Sequence, residues 1–209
     1  SVNGQQAIKS GQVVKEQDFV AVSLRQQYVS RAGLKLASVA DRLKVSFRGK
    51  VVLDVGSSTG GFTDYVLQNG ATRVIAVDTG TEQLHASLRD DPRIELHEQT
   101  DIRRIGELSG QPDIVVIDVS FISLRQILPH IKQLCGTQAD ILAMVKPQFE
   151  TGQKQQKNRG VIKNERQRRE ILKEFEAWVQ KLFKVMNKAD SDVTGEKGNL
   201  ERFYHLRPL

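Results

Sequence analysis

Short aliphatic runs alternate with amphipathic stretches along most of the chain, and this alternation restricts the fold more than any other feature. The aliphatic runs predict strands at 51–55, 73–78, 94–97, 112–118 and 140–146. The amphipathic stretches predict helices at 60–69, 82–89, 123–134 and 165–183. Strands that are apolar throughout are typical of a parallel sheet with helices on both faces. With two further strands near 184–193 and 202–206, the pattern predicts an α/β fold with a doubly wound, mostly parallel, seven-stranded sheet.

Four charged residues lie at the carboxyl ends of predicted strands. They are Asp54, Asp78, Asp118 and Lys146. Doubly wound sheets bind their ligands at that edge. The sequence therefore predicts one site where these side chains meet.

Net charge indicates the kind of partner that the protein binds, and cysteine content indicates the cellular compartment in which it works. The formal net charge is +6, which favours polyanionic partners, and RNA is the polyanion that we expect. The single cysteine, Cys135, excludes an intrachain disulfide and favours the reducing cytoplasm. We expect no metal site, because no cluster of ligands has metal-binding spacing. The aliphatic run 141–145 is far shorter than the roughly 20 residues that span a bilayer, so we expect no membrane segment.

A glycine-rich turn follows the first predicted strand, between Asp54 and Phe62. A phosphate-binding loop would end in Gly-Lys-Ser/Thr, which is absent here, and a dinucleotide fingerprint would place glycine where Ser58 stands. S-adenosylmethionine has no pyrophosphate and does not require that glycine. We therefore interpret the turn as an S-adenosylmethionine loop whose cofactor-binding residues are Asp54, Gly56, Ser57, Gly60, Gly61 and Phe62.

Two further carboxylates are candidates for the nucleoside part of that cofactor. Asp78 ends the second strand, 24 residues after Asp54, near the roughly 20-residue spacing of an acid that binds ribose hydroxyls. Asp101 follows the third strand and is expected to accept from the adenine amino group. The alternative for both residues is that they only cap turns.

Five motifs resemble the TlyA family and occur in that family's order over nearly the whole chain. They lie at 28–36, 54–64, 118–124, 145–150 and 198–201. The resemblance implies an FtsJ-like methyltransferase domain of the Rossmann-like class I type over 28–209. It also implies an S4 RNA-binding domain before it, of which residues 1–27 would be the remnant and linker.

The resemblance further implies S-adenosylmethionine-dependent 2′-O-methylation of cytidine ribose in ribosomal RNA, by a tetrad that falls on Lys35, Asp118, Lys146 and Glu201. A ribose hydroxyl is a weak nucleophile, so it must be aimed at the methyl group while its developing negative charge is stabilised. The two lysines would stabilise that charge, and the two carboxylates would orient the lysines. Lys146 would act either as base or as oxyanion stabiliser, and the sequence leaves both roles open.

The tetrad residues also have simpler interpretations. On helical spacing, Lys35 shares a face with Arg31 and Arg42, and such a face is usually only solvated. Glu201 could pair with its neighbour Arg202, and Lys146 could merely end a strand.

Between residues 151 and 173, eight basic residues stand against two acidic ones. The RNA-binding residues that we predict are Arg31, Lys154, Lys157, Arg159 and Lys163. The alternative is a solvated loop and helix face.

Three rival functions remain at this stage. Some TlyA relatives carry the label haemolysin, but a membrane-lytic protein needs an amphipathic or spanning apolar segment, which the sequence lacks. A non-catalytic RNA-binding module would not need the tetrad. A methyltransferase acting on small molecules or proteins stays open, because the cofactor half is common to all of them. The pattern predicts no particular oligomeric state.

Overall fold

The computed structural model describes residues 2–3, 13–20, 27–151, 161–162, 164–195 and 197–209. Its helices are α1 (Arg31–Leu43), α2 (Gly61–Gln68), α3 (Ala86–Arg89), α4 (Leu128–Leu134), α5 (Pro147–Glu150) and α6 (Glu165–Val179). Its strands are β1 (Val51–Val55), β2 (Arg73–Val77), β3 (Ile94–His97), β4 (Ile114–Ile117), β5 (Asp140–Val145), β6 (Phe183–Asp190) and β7 (Arg202–Pro208).

The seven strands form one sheet in the order β3-β2-β1-β4-β5-β7-β6. The pairs from β3 to β5 are parallel, and β7 is antiparallel to both β5 and β6. The order reverses between β1 and β4, which is the switch point where such sheets bind ligands. The predicted doubly wound, mostly parallel, seven-stranded sheet is therefore confirmed.

Each face of the sheet carries its own hydrophobic cluster, because successive strand residues point to opposite faces. On β1, Leu53 belongs to the cluster that includes Phe175 of α6, whereas Val52 belongs to the cluster that includes Leu36 of α1. Fully burying one such aliphatic side chain contributes roughly 1.5–3 kcal/mol. The two layers fix α1 and α6 on opposite faces of the sheet.

Two predicted helices begin later than the amphipathic pattern indicated, and the helix predicted at 165–183 ends earlier, at Val179. Over 82–89 only Ala86–Arg89 is helical, since Glu82 has a φ of +53° and His85 caps the helix at its start. Over 123–134 a 3-10 turn at 124–126 precedes α4. Pro129 lies in the first turn of α4, and because proline has no N–H it cannot continue a helix begun earlier.

Candidate active site

The loops that follow β1, β2 and β4 enclose a pocket of about 490 Å³ at the carboxyl edge of the sheet. Gly56, Asp78, Asp101 and Asp118 all contribute to its wall. Three of these residues follow the ends of three neighbouring strands. Of the four strand-end residues predicted to meet, Asp78 and Asp118 line this pocket.

Gly56, in the loop after β1, packs closely against the backbone at the end of β4. Its φ is +84°, and a Cβ atom at this position would lie 2.6 Å from the carbonyl oxygen of Asp118. A side chain would therefore be strained and would separate the two loops. The glycine leaves a wall of bare backbone at this side of the pocket.

Asp78 organises the glycine loop from the neighbouring strand. Its carboxylate accepts the N–H of Ser58 at 2.8 Å and the N–H of Gly80 at 2.7 Å. Ser58 has a φ of +46°, so this bond holds the loop in an unusual conformation. A carboxylate has about four acceptor positions, and Asp78 retains some of them toward the pocket.

Asp101 lines the pocket and also caps a turn. Its carboxylate accepts the backbone N–H of Arg103 at 3.0 Å and binds the guanidinium of the same residue at 2.6 Å. The hydrogen bonds from Arg103 lower the pKa of Asp101 to about 2. Asp101 is thus a hydrogen-bond acceptor at the edge of the pocket, and Arg103 already occupies some of its acceptor positions.

Asp54 lies beneath the loop and does not line the pocket. It is fully buried and accepts the hydroxyl of Thr63 at 2.7 Å, while its Oδ1 has no hydrogen-bond partner among the described residues. Burial, with the nearby charge of Asp118, raises the pKa of Asp54 to about 7. The position of Asp54 predicts that it supports the glycine-rich loop from the interior of the fold.

Other residues predicted to bind the cofactor pack away from the pocket. A Cβ atom on Gly61 would lie 2.1 Å from the Ser30 hydroxyl, so this glycine allows the chain before α1 to pack on α2. Phe62 is buried, with its ring 5.9 Å from that of Phe203. Ser57 is buried, and Gly60 faces leucine side chains. These four residues fix the shape of the loop and are not among the pocket-lining residues.

Lys146 follows β5 and reaches across to the end of β4. Its Nζ lies 2.6 Å from Oδ1 of Asp118 and donates to the Ser120 hydroxyl at 2.7 Å. Asp118 and Ser120 both line the pocket. The ammonium group is therefore held beside the pocket by two partners from the same loop.

A second ion pair joins Lys35 of α1 to Glu201, with Nζ and Oε2 at 2.6 Å. The side chains are only 11% and 3% exposed. Val145 pairs with Arg202 in the β5–β7 ladder, so Glu201 lies at the same edge of the sheet as Lys146. The simpler interpretations of Lys35 and Glu201 are wrong: Lys35 is buried, and Arg202 binds Asp190 instead.

Both ion pairs are short, charge-assisted contacts at 2.6 Å, and each occupies only part of the three N–H groups of its lysine ammonium. Each ammonium therefore keeps N–H groups that can point elsewhere. The site can hold an additional oxygen atom that carries partial negative charge.

Sequence reasoning missed an exposed aromatic side chain at the pocket. Phe121 lines it, is 85% exposed, has a φ of +66°, and places its ring 5.3 Å from that of Phe149. Its position three residues after Asp118, in a motif already singled out, was the available signal. An exposed phenylalanine in a strained conformation next to charged catalytic candidates favours a binding role.

The predicted RNA-binding residues are divided between the described and undescribed parts of the chain. Lys154, Lys157, Arg159 and Lys163 lie outside the described residues. Arg31 donates to the Thr194 carbonyl at 2.7 Å. Arg168, one of the eight basic residues of the same stretch, is buried and pairs with Asp190 at 2.6 Å, so it faces the fold and not a partner.

A sequence profile of the FtsJ-like methyltransferases matches residues 28–207. The chain belongs to the FtsJ-like methyltransferase family. Over the described residues, this methyltransferase has no helix that is both long and apolar enough to span a membrane.

Known relatives of this methyltransferase are similar over most of its length. YqxC of Bacillus subtilis, a candidate rRNA methyltransferase, is 41% identical over 86% of this chain and 66% of its own length. TlyA of Mycobacterium tuberculosis, a 16S/23S rRNA (cytidine-2′-O)-methyltransferase, is 35% identical over 99% of this chain and 79% of its own. The solved structure of a candidate hemolysin from Lactococcus lactis has a TM-score of 0.82 and 38% identity, covering 88% of this chain and 89% of that one.

Proposed function

We propose that this methyltransferase transfers a methyl group from S-adenosylmethionine to a ribose 2′-oxygen of ribosomal RNA. The observation that carries the proposal is the Lys146–Asp118 pair, at 2.6 Å, on the border of a pocket at the switch point of the sheet. The relatives named above support ribosomal RNA as the substrate and cytidine as the target nucleoside.

The pocket fits S-adenosylmethionine in size and in chemistry. Its volume lies within the roughly 300–1,000 Å³ of small-molecule sites. Asp78 supplies acceptors for the ribose hydroxyls, Asp101 supplies an acceptor toward the adenine, and the backbone at Gly56 leaves room for the methionine portion. The cofactor supplies, when bound, a methyl group activated by a sulfonium.

Lys146 is the residue best placed to act on the ribose oxygen. A lysine ammonium has three N–H groups, of which one donates to Ser120 while Asp118 neutralises the charge. A remaining N–H is available to an incoming hydroxyl and stabilises the negative charge that develops on its oxygen. This arrangement serves oxyanion stabilisation directly, and the hydroxyl proton passes to Asp118 or to solvent as the bond between the ribose oxygen and the methyl group forms.

Lys35 and Glu201 lie at the same edge of the sheet as Lys146. Their pairing keeps a second positive charge near Lys146 without leaving either charge alone in a buried position. Arg31 holds the segment before Glu201 through its bond to Thr194. The two ion pairs together orient a ribose oxygen and limit the access of water.

Phe121 offers a face on which a nucleobase can stack. RNA that is read by proteins commonly presents unstacked bases, which bind exposed aromatic side chains. Phosphate contacts would come from the basic stretch after β5, including Lys154, Lys157, Arg159 and Lys163.

The proposed domain organisation follows the resemblance to the TlyA family. Residues 28–209 form the methyltransferase domain, and residues 1–27 belong to an S4 RNA-binding domain and its linker. This chain spans just under two thirds of the Bacillus relative. An enzyme that modifies ribosomal RNA works where ribosomes are assembled, which places it in the cytoplasm.

Mapping of 2′-O-methyl groups on ribosomal RNA tests the proposal. Ribosomal subunits and free ribosomal RNA from cells that lack the enzyme are incubated with it and S-adenosylmethionine. We expect a new 2′-O-methylcytidine with the wild-type chain and none with Lys146→Ala, whose cofactor affinity by calorimetry should stay close to wild type. Methylation at the wild-type rate by Lys146→Ala would overturn the proposed role of the pair. Lysis of red cells by purified protein without RNA modification would favour the membrane-lytic alternative.

A further inference from the structure

Glu150 is a buried carboxylate that the proposed chemistry does not use. Its side chain is 1% exposed. It ends α5, the single helical turn that begins directly after Lys146. Burying a carboxylate away from water costs free energy unless the group is hydrogen-bonded. The partners of Glu150 therefore indicate what it holds in place.

Both oxygens of Glu150 bind the loop that carries Asp118. Oε2 accepts the Ser123 hydroxyl at 2.6 Å, and Oε1 accepts the backbone N–H of Leu124 at 2.7 Å. The Arg125 guanidinium lies 3.7 Å away, with its central carbon 5.5 Å from the centre of the Trp178 ring. Burial raises the pKa of Glu150, and the hydrogen bonds from Ser123 and Leu124 offset part of that rise.

The loop after β4 and the loop after β5 are therefore joined at both of their ends. At the first end, Lys146 contacts Asp118 and Ser120. At the second end, Glu150 binds Ser123 and Leu124. Between them, the rings of Phe121 and Phe149 lie 5.3 Å apart. We call the contacts of Glu150 with Ser123 and Leu124 the loop clasp.

The clasp determines how Lys146 meets Asp118. Lys146 lies four residues before Glu150, with a rigid helical turn between them, and Asp118 lies five residues before Ser123. When the second end is fixed, the two loops cannot slide, and the 2.6 Å contact at the first end keeps its geometry. A misplacement of about 1 Å at a reacting group can cost on the order of 100-fold in rate.

We propose that Glu150 is a positioning residue for methyl transfer, which holds Lys146 in register with Asp118 and Ser120 through the loop clasp. This inference rests on the proposed function. Glu150 touches neither the pocket nor the ribose, and acts through the two loops.

The test compares Glu150→Ala and Glu150→Gln with Asp140→Ala. Glutamine keeps an acceptor for the Leu124 N–H and a polar partner for Ser123. Asp140 is a matched control, since its carboxylate binds His205 and Arg207 at the other end of the strand that precedes Lys146. Single-turnover methyl transfer is measured with saturating cofactor and ribosomal RNA, below the melting temperature of every variant.

Glu150→Ala should slow the single-turnover rate by about tenfold or more, with cofactor Kd within about twofold of wild type. Glu150→Gln should recover most of the rate, and Asp140→Ala should keep it while losing stability. Equal rates for Glu150→Ala and wild type, or an equal loss in Asp140→Ala, would overturn the proposal.

Hydrogen exchange without RNA tests the clasp independently of activity. Amides at 119–124 and 148–150 should exchange faster in Glu150→Ala and not in Asp140→Ala. Unchanged exchange in these segments would also overturn the proposal. If the wild-type chain methylates no RNA, the proposed function fails, whereas the exchange data still decide whether Glu150 holds the two loops together.

Discussion

Glu201 turns away from its neighbour Arg202 and places its carboxylate 2.6 Å from Lys35 of α1. Arg202 binds Asp190 instead, with its guanidinium at 2.7 and 2.8 Å from the two carboxylate oxygens. Adjacent residues of an extended chain point to opposite sides, which explains the division of partners. Glu201 thereby serves the candidate active site, and Arg202 serves the packing of β6 on β7.

Breaking the Lys35–Glu201 pair should destabilise the fold as well as abolish activity. Lys35→Met and Glu201→Gln each leave one buried charge alone, at a cost of about 3–5 kcal/mol. The double variant leaves no unpaired charge and should lose less stability than the two single losses combined. Urea denaturation gives the free energies, and methyl transfer should be lost in all three proteins. Additive losses of stability would mean that the two residues are not coupled.

Asp78→Ala should weaken S-adenosylmethionine binding without unfolding the protein. In the proposed site the carboxylate accepts from the ribose hydroxyls, and it also holds the Ser58 N–H, so its loss should cost about 2–3 kcal/mol of binding, or roughly 30- to 150-fold in Kd. Calorimetric titration measures this directly, with Asp113→Ala at the opposite edge of the sheet as the control. Unchanged affinity in Asp78→Ala would remove this residue from the cofactor site.

Stability should depend on pH through Asp54 in an unusual direction. Because its pKa is raised from about 4 to about 7, the folded state binds this proton more tightly than the unfolded state does. The stabilisation is present below about pH 4 and is lost as the pH rises through 7. Relative to wild type, Asp54→Asn should therefore gain up to about 4 kcal/mol between pH 4 and pH 8.

Denaturation of Asp54→Asn and of wild type at several pH values gives the difference between their free energies of unfolding, which measures this gain. Asp113→Asn is the control, since its carboxylate is 43% exposed. A difference between Asp54→Asn and wild type that stays constant from pH 4 to pH 8 would contradict the raised pKa.

Phe121→Ala should reduce methylation of RNA while cofactor Kd stays unchanged. Stacking of one base on an aromatic ring is worth about 1–3 kcal/mol, so kcat/KM for RNA should fall by roughly 5- to 150-fold. Phe121→Trp keeps a stacking surface and should retain most of the activity. Equal kcat/KM for Phe121→Ala and wild type would mean that the exposed ring does not contact the substrate.

Replacing Lys154, Lys157 and Arg159 together by glutamine should weaken RNA binding and its dependence on salt. Because three phosphate contacts are lost, the negative slope of log affinity against log salt concentration should become shallower by about two. Lys44, Lys50 and Lys184 lie away from the carboxyl edge and form a charge-matched control. A triple variant at 154, 157 and 159 with wild-type affinity and slope would identify this stretch as a solvated surface.

The sheet could be predicted from the sequence because its strands are aliphatic and its turns are marked by glycine and asparagine. The positions of Asp78, Asp118 and Lys146 followed from the same pattern, since the ends of parallel strands share one edge. The burial of Lys35 could not be predicted in this way. Helical spacing shows which residues share a face of a helix, but it does not show what packs against that face. Arg168 shows the same limit: its neighbours in sequence indicate a solvated basic surface, whereas Asp190 and the Leu200 carbonyl bury it.

The loop residues Gly60, Gly61 and Phe62 illustrate a different limit. Their pattern indicated a turn with few side chains, and the turn is present. The pattern could not show that Gly61 and Phe62 face the core, where Ser30 and Phe203 lie. Which side of a glycine turn faces the ligand depends on packing between distant segments, which local sequence does not encode.

The antiparallel insertion of β7 between β5 and β6 has a consequence for the order of folding. The pocket walls at Gly56, Asp78 and Asp118 follow β1, β2 and β4, whose pairings with one another do not involve β7. Glu201 arrives beside Lys146 only after β7 has entered the sheet, and only then does Lys35, from the first helix, find its partner. A chain that has formed β1 to β5 can therefore hold the cofactor pocket while it still lacks the Lys35–Glu201 half of the proposed tetrad, so the tetrad cannot be complete before β7 has joined the sheet.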